Sequence, residues 1–182
     1  MWYFLRQDLF GEATGVELSA PQSADFNWVD GIRFDRAYPL ETFVLDDAYG
    51  SNYPDFFDTT VPVMSHRLIA LLRACGVSNL DDYPVILHAP ESGARRTDYS
   101  AVNLVGLVDA VDLAASVHEV RRGKPRFTGA ISIADERTAG LRAFRLPTSP
   151  RFIVIAHDVA VRVAASGFDS VLVQPTLDYR GV

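Results

Sequence analysis

The chain has 182 residues, 48% of them hydrophobic, one Cys and a net charge of −6. That length fits one domain that buries about 70% of its unfolded surface without help from a metal or disulfide. The composition argues against disorder, and the single Cys excludes an internal disulfide framework or a Cys-based zinc site.

Residues 2–6 read as a short strand. The apolar segment from Met1 to Asp8 is too short for a signal peptide, and no run approaches transmembrane length, so a cytoplasmic protein without a membrane partner is expected. Residues 7–40, punctuated by Gly11, Gly15, Pro21, Gly31 and Pro39, read as mostly loop with short elements. Glu41 to Leu45 read as a strand, followed by an aromatic, acidic loop from Asp46 to Asp58. A strand end and a helix follow at 61–76. Tyr83 to Leu87 read as a strand whose Pro84 belongs at a sheet edge or a strand start. Residues 88–98 form a polar loop, and Tyr99 to Asp109 a long strand with Gly106 as a bulge or close approach. The stretch 110–122 is ambiguous between strand and helix. Ala130 to Ile133 and Arg142 to Leu146 read as strands around a turn, with Phe144 and Leu146 on one face and Arg145 on the other. Phe152 to Ile155 lead into a second helix, and Ser170 to Gln174 close the chain as a strand.

Two stretches about ninety residues apart look like copies of one unit. Val61 to Val77 and Phe152 to Phe168 each give an apolar strand end, a small residue, a His, about two and a half helical turns and a Gly. His66 aligns with His157, and Gly76 with Gly167. In the first copy Ser65 suits the N-cap, and Leu68, Ile69, Leu72 and Cys75 share a helical face. In the second, Val159, Val161 and Val163 alternate like a strand, but the repeat argues for a helix. Ala156 stands where the capping Ser would, and Asp158 compensates through the helix dipole. The fold class expected is α+β, a mainly antiparallel sheet with two similar strand–helix units packed on it. Residues 1–182 are read as a single domain, with an acidic, loop-rich part at 1–60 and a core at 61–182.

Charge is unevenly placed. Residues 1–60 carry eleven acids against three Arg, and residues 61–182 twelve acids against fourteen bases. An acidic third does not suit a nucleic-acid binder, which needs cations for phosphates, but it suits a basic protein partner.

Enzyme signatures are missing: there is no phosphate loop, dinucleotide fingerprint, nucleophile elbow or zinc-helix pattern. The four His residues lack ligand spacing. No metal or cofactor is expected, although Asp109 and Asp112 would share a face if helical. The best polar cluster on a loop is His88, Glu91, Arg95 and Arg96, an alternative ligand or active site.

The chain resembles a bacterial family of polymorphic-toxin immunity proteins, the eleventh in the usual immunity numbering and formerly a domain of unknown function. The resemblance is carried by the order and spacing of a set of residues between about 42 and 176. These are Val61-Pro62-Val63-Met64-Ser65 with Leu68 and Leu72, Tyr99 and Asn103, Asp109 and Asp112, Phe144-Arg145-Leu146, and the second strand–helix unit ending at Gly167. The chain departs from the family where His66 and His157 replace acidic residues and Ala156 replaces Ser. The resemblance implies an inhibitor that binds a cognate toxin, encoded nearby, and offers no catalytic residues. On that reading the acidic, aromatic loop is the expected contact surface, with Asp46, Asp47, Tyr49, Tyr53, Asp55 and Asp58 as toxin-binding candidates.

Overall fold

The structure is a computed structural model that describes residues 1–10, 17–21, 26–46 and 52–181. Asp47 and Tyr49 lie outside the described residues. Within them the strands are β1 Trp2–Gln7, β2 Glu17–Ser19, β3 Glu41–Asp46, β4 Phe56–Phe57, β5 Val63–Ser65, β6 Leu80–His88, β7 Arg95–Leu104, β8 His118–Arg121, β9 Lys124–Phe127, β10 Ala143–Leu146, β11 Ser149–Ala156 and β12 Val171–Pro175. The helices are α1 His66–Ala74 and α2 His157–Ala164.

The strands form a six-stranded sheet, β2-β3-β6-β7-β5-β4, a four-stranded sheet, β10-β11-β1-β12, and the hairpin β8-β9. Apart from β3 with β6, all paired strands are antiparallel. The fold is thus α+β with mostly antiparallel sheets, and both expected strand–helix units are present.

The repeat goes further than its sequence signature. β5 and β6 both pair antiparallel to β7, so they run parallel with one strand between them. β11 and β12 stand in the same relation to β1. Each helix therefore links two parallel strands across an intervening antiparallel one, a split β–α–β unit. The units occupy different sheets, and their helices meet in one apolar cluster. Leu68, Ile69 and Leu72 of α1 and Val159, Ala160 and Val163 of α2 join Leu5, Met64, Val102, Leu104, Ile153 and Ile155 from both sheets. Cys75 is buried in that cluster, as its place on the helix face requires. α2 is helical despite its alternating valines, because packing of that face overrides a weak propensity.

Both sheets are covered on their other faces. An aromatic group of Trp28, Tyr38, Phe43, Phe57 and Tyr99 covers the six-stranded sheet. Phe4, Phe127, Phe144, Val154 and Tyr179 cover the four-stranded one. Double burial explains why β5 and β11 read as continuous apolar runs rather than alternating ones. Two strands of the N-terminal part are built into the sheets: β1 lies between β11 and β12, and β3 beside β6.

Several local expectations are revised. Pro84 lies in a strand flanked on both sides in the sheet order, but β3 pairs only from Val85 onward, so the Pro occupies a locally unpaired edge. β7 starts at Arg95 and stops at Leu104 rather than running to Asp109. Beyond it, Gly106 at φ +132° donates its N–H to the Gly31 carbonyl. Ala130 to Ile133 form only an isolated bridge, Ile133 with Val111. The ambiguous stretch holds strand β8 at its end. Asp109 and Asp112 lie outside any helix; Asp112 accepts the N–H groups of Ala114 and Ala115 at 3.0 and 3.3 Å, which commits its carboxylate to a turn.

Arg145 does face away from Phe144 and Leu146, yet it is 0% exposed. The register of β10 with β11 slips between Arg145 and Leu146, leaving carbonyls of the bulged partner strand without ladder donors. The Arg145 guanidinium donates to two of them, Pro150 O at 2.7 Å and Arg151 O at 3.2 Å. Burial lowers its pKa to about 10, against the attraction of Asp58.

Candidate functional site

A cleft of about 580 Å³ opens beside the start of α1. Its walls are Asn52, Tyr53 and Asp55, the helix start Ser65 to Arg67, the β7 residues Arg96, Asp98 and Tyr99, and Asp169 after α2. The first split unit supplies the helix start and the β7 wall, the second supplies Asp169, and one carboxylate joins the two.

That carboxylate is Asp55, which is 2% exposed. Its Oδ1 accepts the Ser65 hydroxyl and Arg67 Nε, the latter at 2.6 Å. Its Oδ2 accepts a second Arg67 nitrogen and the Asp169 N–H, the latter at 2.9 Å. Backbone bonds add Asp55 N–H to Asp169 O and Ser65 N–H to Asp55 O, both 2.9 Å. Ser65 Oγ in turn accepts the Leu68 N–H at 3.3 Å and caps α1. Asp55 is thus a buried junction between the loop, the first helix and the return loop of the second unit. Its bonds hold Arg67 and raise that guanidinium's pKa, chiefly through the side-chain hydrogen bonds.

The opposite wall is equally ordered. Asp98 accepts Arg96 Nε at 2.9 Å and a terminal nitrogen at 2.6 Å, a bidentate pair. That pair holds the Asp98 carboxyl below the usual carboxylate range. The Arg96 guanidinium lies 5.4 Å from the Tyr53 ring centre and 5.6 Å from that of Tyr99. Tyr99 is buried, which pushes its phenol pKa up, and its hydroxyl donates to Pro54 O at 3.1 Å.

His66 Nε2 is 3.2 Å from Ser100 Oγ, with Asp98 nearby, a grouping that superficially suggests nucleophilic catalysis. Ser100 is fully buried in β7, so a substrate cannot reach its hydroxyl. The matching His157 sits in another setting, its Nδ1 3.2 Å from the Tyr3 hydroxyl. Among the described residues, no group of three or more His, Cys, Asp or Glu is placed to hold a metal ion.

The cleft unites members of both candidate sets, Tyr53 and Asp55 from one and Arg96 from the other. The remaining described candidates lie elsewhere. Asp46 ends β3 on the surface. Asp58 is half-buried beyond β4; burial pushes its carboxyl up to about 6, against Arg6, Arg145 and Arg151. His88 and Arg95 close the β6–β7 hairpin, and Glu91 is exposed at its tip. His88 Nδ1 is 3.4 Å from Ala94 O in its own turn. The proposed His88–Glu91–Arg95–Arg96 cluster is therefore split by strand alternation, and Arg96 alone of the four lines the cleft.

Asp98 closes the polar loop 88–98 named from the sequence, whereas Arg67 and Asp169 carry no sequence signal of their place in the cleft. One signal for Asp55 does stand in the sequence: an acid inside the apolar run Pro54-Asp55-Phe56-Phe57 implies a buried carboxylate with partners.

Compared with known proteins, the chain matches no family model, and no curated protein is significantly similar to it. Among the described residues, no helix is long and apolar enough to cross a membrane.

Proposed function

We propose that this chain is an immunity protein of the polymorphic-toxin type. It acts in the cytoplasm of the cell that makes it, binding a cognate toxin encoded nearby and blocking it stoichiometrically. The observation that carries this reading is the clamped Arg–Tyr wall of the cleft. Arg96 is fixed by two hydrogen bonds to Asp98 and stacked against Tyr53 and Tyr99. Arg and Tyr are, with Trp, the residues enriched at interface hot spots, and side chains ordered before binding lose less entropy on docking.

The resemblance in the spacing of Val61 to Ser65, Tyr99, Asn103 and Phe144 to Leu146 supports the same reading. So does the disposition of the polar groups: the carboxylates and guanidinium groups of the cleft pair with one another, which suits recognition better than proton transfer. An interface of standard size, about 800 Å² per partner, would extend beyond the cleft. The surplus of acidic residues in the first third of the chain would speed encounter with a basic toxin.

The test is co-expression with the product of the adjacent reading frame, scoring survival and co-purification. Rescue with a stable one-to-one complex supports the proposal. A demonstrably toxic neighbour that is neither bound nor neutralised by the folded protein overturns it.

A further inference from the structure

We infer that the open edge of β12 takes an extended segment of the protein partner as a further strand; this rests on the immunity reading above. Four edge strands bound the two large sheets, β2 and β4 in one and β10 and β12 in the other. Three of them are closed or blunted. β10 is covered by the chain after β7: Val108 N–H donates to Arg145 O at 2.8 Å, and Arg145 N–H to Gly106 O at 2.9 Å. β4 is two residues long, and both are buried. β2 is three residues long and carries an exposed Glu17 opposite Asp46; short, charged edges resist a further strand. β12, Val171-Leu172-Val173-Gln174-Pro175, has five residues, no charge and a neighbour on one side only.

The parity of the β1–β12 ladder identifies the unused groups. Asp8 N–H donates to Ser170 O at 2.9 Å, so these two residues are a directly bonded pair one step beyond the register. Bonded pairs alternate along an antiparallel ladder, so within the register they are Arg6 with Leu172 and Phe4 with Gln174. Val171 and Val173 therefore turn their main-chain groups away from β1. Among the described residues, nothing bonds the Val173 N–H, the Val173 C=O or the Val171 C=O. Pro175 belongs to the same outward set, where the ladder needs no donor. Leu172 is 41% exposed beside this edge. Extended main chain with an apolar residue against Leu172 matches these groups, which is recognition by strand addition.

The position of the edge identifies the occupant. Asp169, just before β12, lines the cleft, and its carbonyl accepts the Asp55 N–H at 2.9 Å. The cleft wall thus runs into the open edge, so a toxin segment seated against Tyr53 and Arg96 continues along β12. A second copy of the chain fits less well, because each copy carries a charge of −6 and like charges oppose the approach.

The test is residue-resolved amide exchange on the full isotope-labelled chain, alone and saturated with the product of the adjacent reading frame. Alone, the Leu172 and Gln174 amides should be protected by the β1 ladder, and the Val173 amide should exchange fast. In the complex the Val173 amide should slow by about tenfold or more. Val173→Pro removes the outward N–H without touching the ladder and should weaken the complex about tenfold. Val173→Ala keeps that N–H and should bind within about twofold of the natural chain. Leu172→Lys puts a charge beside the edge and should weaken binding severalfold. A Val173 amide protected in the free chain, or still exposed in the complex, overturns the inference. So does Val173→Pro binding as the natural chain does, or Val173→Ala losing as much as Val173→Pro. If Val173→Pro fails to fold, the exchange data and Leu172→Lys decide. Protection that grows with the concentration of the free chain assigns the edge to a second copy and also overturns the inference.

The two readings fail separately. Binding and rescue with the Val173 amide still exposed keep immunity and remove strand addition. A toxic neighbour that is neither bound nor neutralised removes immunity, and with it the occupant assigned to β12.

Discussion

The two split β–α–β units share a path but are fastened differently. In the first, α1 begins at a capped Ser65, itself held by the buried Asp55. In the second, α2 begins at Ala156 without a side-chain cap, and Asp158 of its first turn pairs with Arg142 near the surface. The polarity is reversed as well: Arg67 holds the helix position that Asp158 holds in the copy. The difference shows that a repeated backbone does not repeat its electrostatics. The first helix start is built into a junction that shapes a cleft, while the second is a surface helix start in which the dipole interaction stands in for a cap.

The strongest way to break this comparison is Asp55→Ala. It removes the acceptor for Ser65, Arg67 and the Asp169 N–H together. We expect a loss of about 2–4 kcal/mol in chemical denaturation, below the full cost of a broken buried pair because Arg67 can turn toward water. Asp158→Ala should cost no more than about 1 kcal/mol, as exposed pairs do. Equal losses would mean that the two helix starts are equivalent after all.

Much of this was legible beforehand and some was not. The helix of the first unit followed from Ser65, the spacing of Leu68, Ile69 and Leu72, and Gly76, all local signals. The second helix was legible only through the repeat, because its valines argue for a strand on their own. What could not be read was pairing between distant residues. Asp55 with Asp169, and Arg96 with Tyr53, are separated by long stretches of chain; the first meeting depends on how the two split units pack, the second on how the loop before β4 crosses β7. The hairpin tip misled for a related reason. His88, Glu91, Arg95 and Arg96 are close in sequence, but the strands direct successive side chains to opposite faces and split them.

Asp58 extends the comparison to the same loop, three residues beyond the junction. It lies in the field of Arg145 in the opposite sheet, and burial raises its carboxyl from the ordinary 3.8 to about 6. A carboxyl raised in the fold binds its proton more tightly there than in the unfolded chain. Its contribution is therefore present below about pH 4 and lost as pH rises through about 6. The loss should be on the order of 1–2 kcal/mol, reduced by the residue's partial exposure. Asp58→Asn should flatten the stability profile between those values relative to the natural chain. An unchanged difference between the two proteins from pH 4 to 7 would show that Asp58 titrates normally.

Exchanging the caps sharpens the comparison at smaller scale. Ser65→Ala should cost about 1.5–2 kcal/mol, above the usual cap value of about 1, because the Asp55 carboxylate also loses a donor. Ala156→Ser should gain about 0.5 kcal/mol by giving α2 the cap it lacks. Thermal melts of the two variants and their combination would measure both. A gain at 156 as large as the loss at 65 would mean that Asp55 adds nothing to the cap.

The smallest effect separates the two terminating glycines. Gly76 and Gly167 have φ of +82° and +60°, so alanine at either incurs about 1 kcal/mol of left-handed strain. Their surroundings differ. A Cβ at Gly167 would meet nothing, whereas at Gly76 it would lie 3.0 Å from Arg142 Cδ. Arg142 is the partner of Asp158, so crowding at the end of α1 should disturb the ion pair at the start of α2. Gly76→Ala should therefore cost a few tenths of a kcal/mol more than Gly167→Ala, and that excess should shrink when Asp158→Ala is present. A double-mutant cycle on denaturation midpoints isolates the coupling. If the excess survives removal of Asp158, the strain is local to Gly76; if it vanishes, the end of one helix and the start of the other are joined through Arg142.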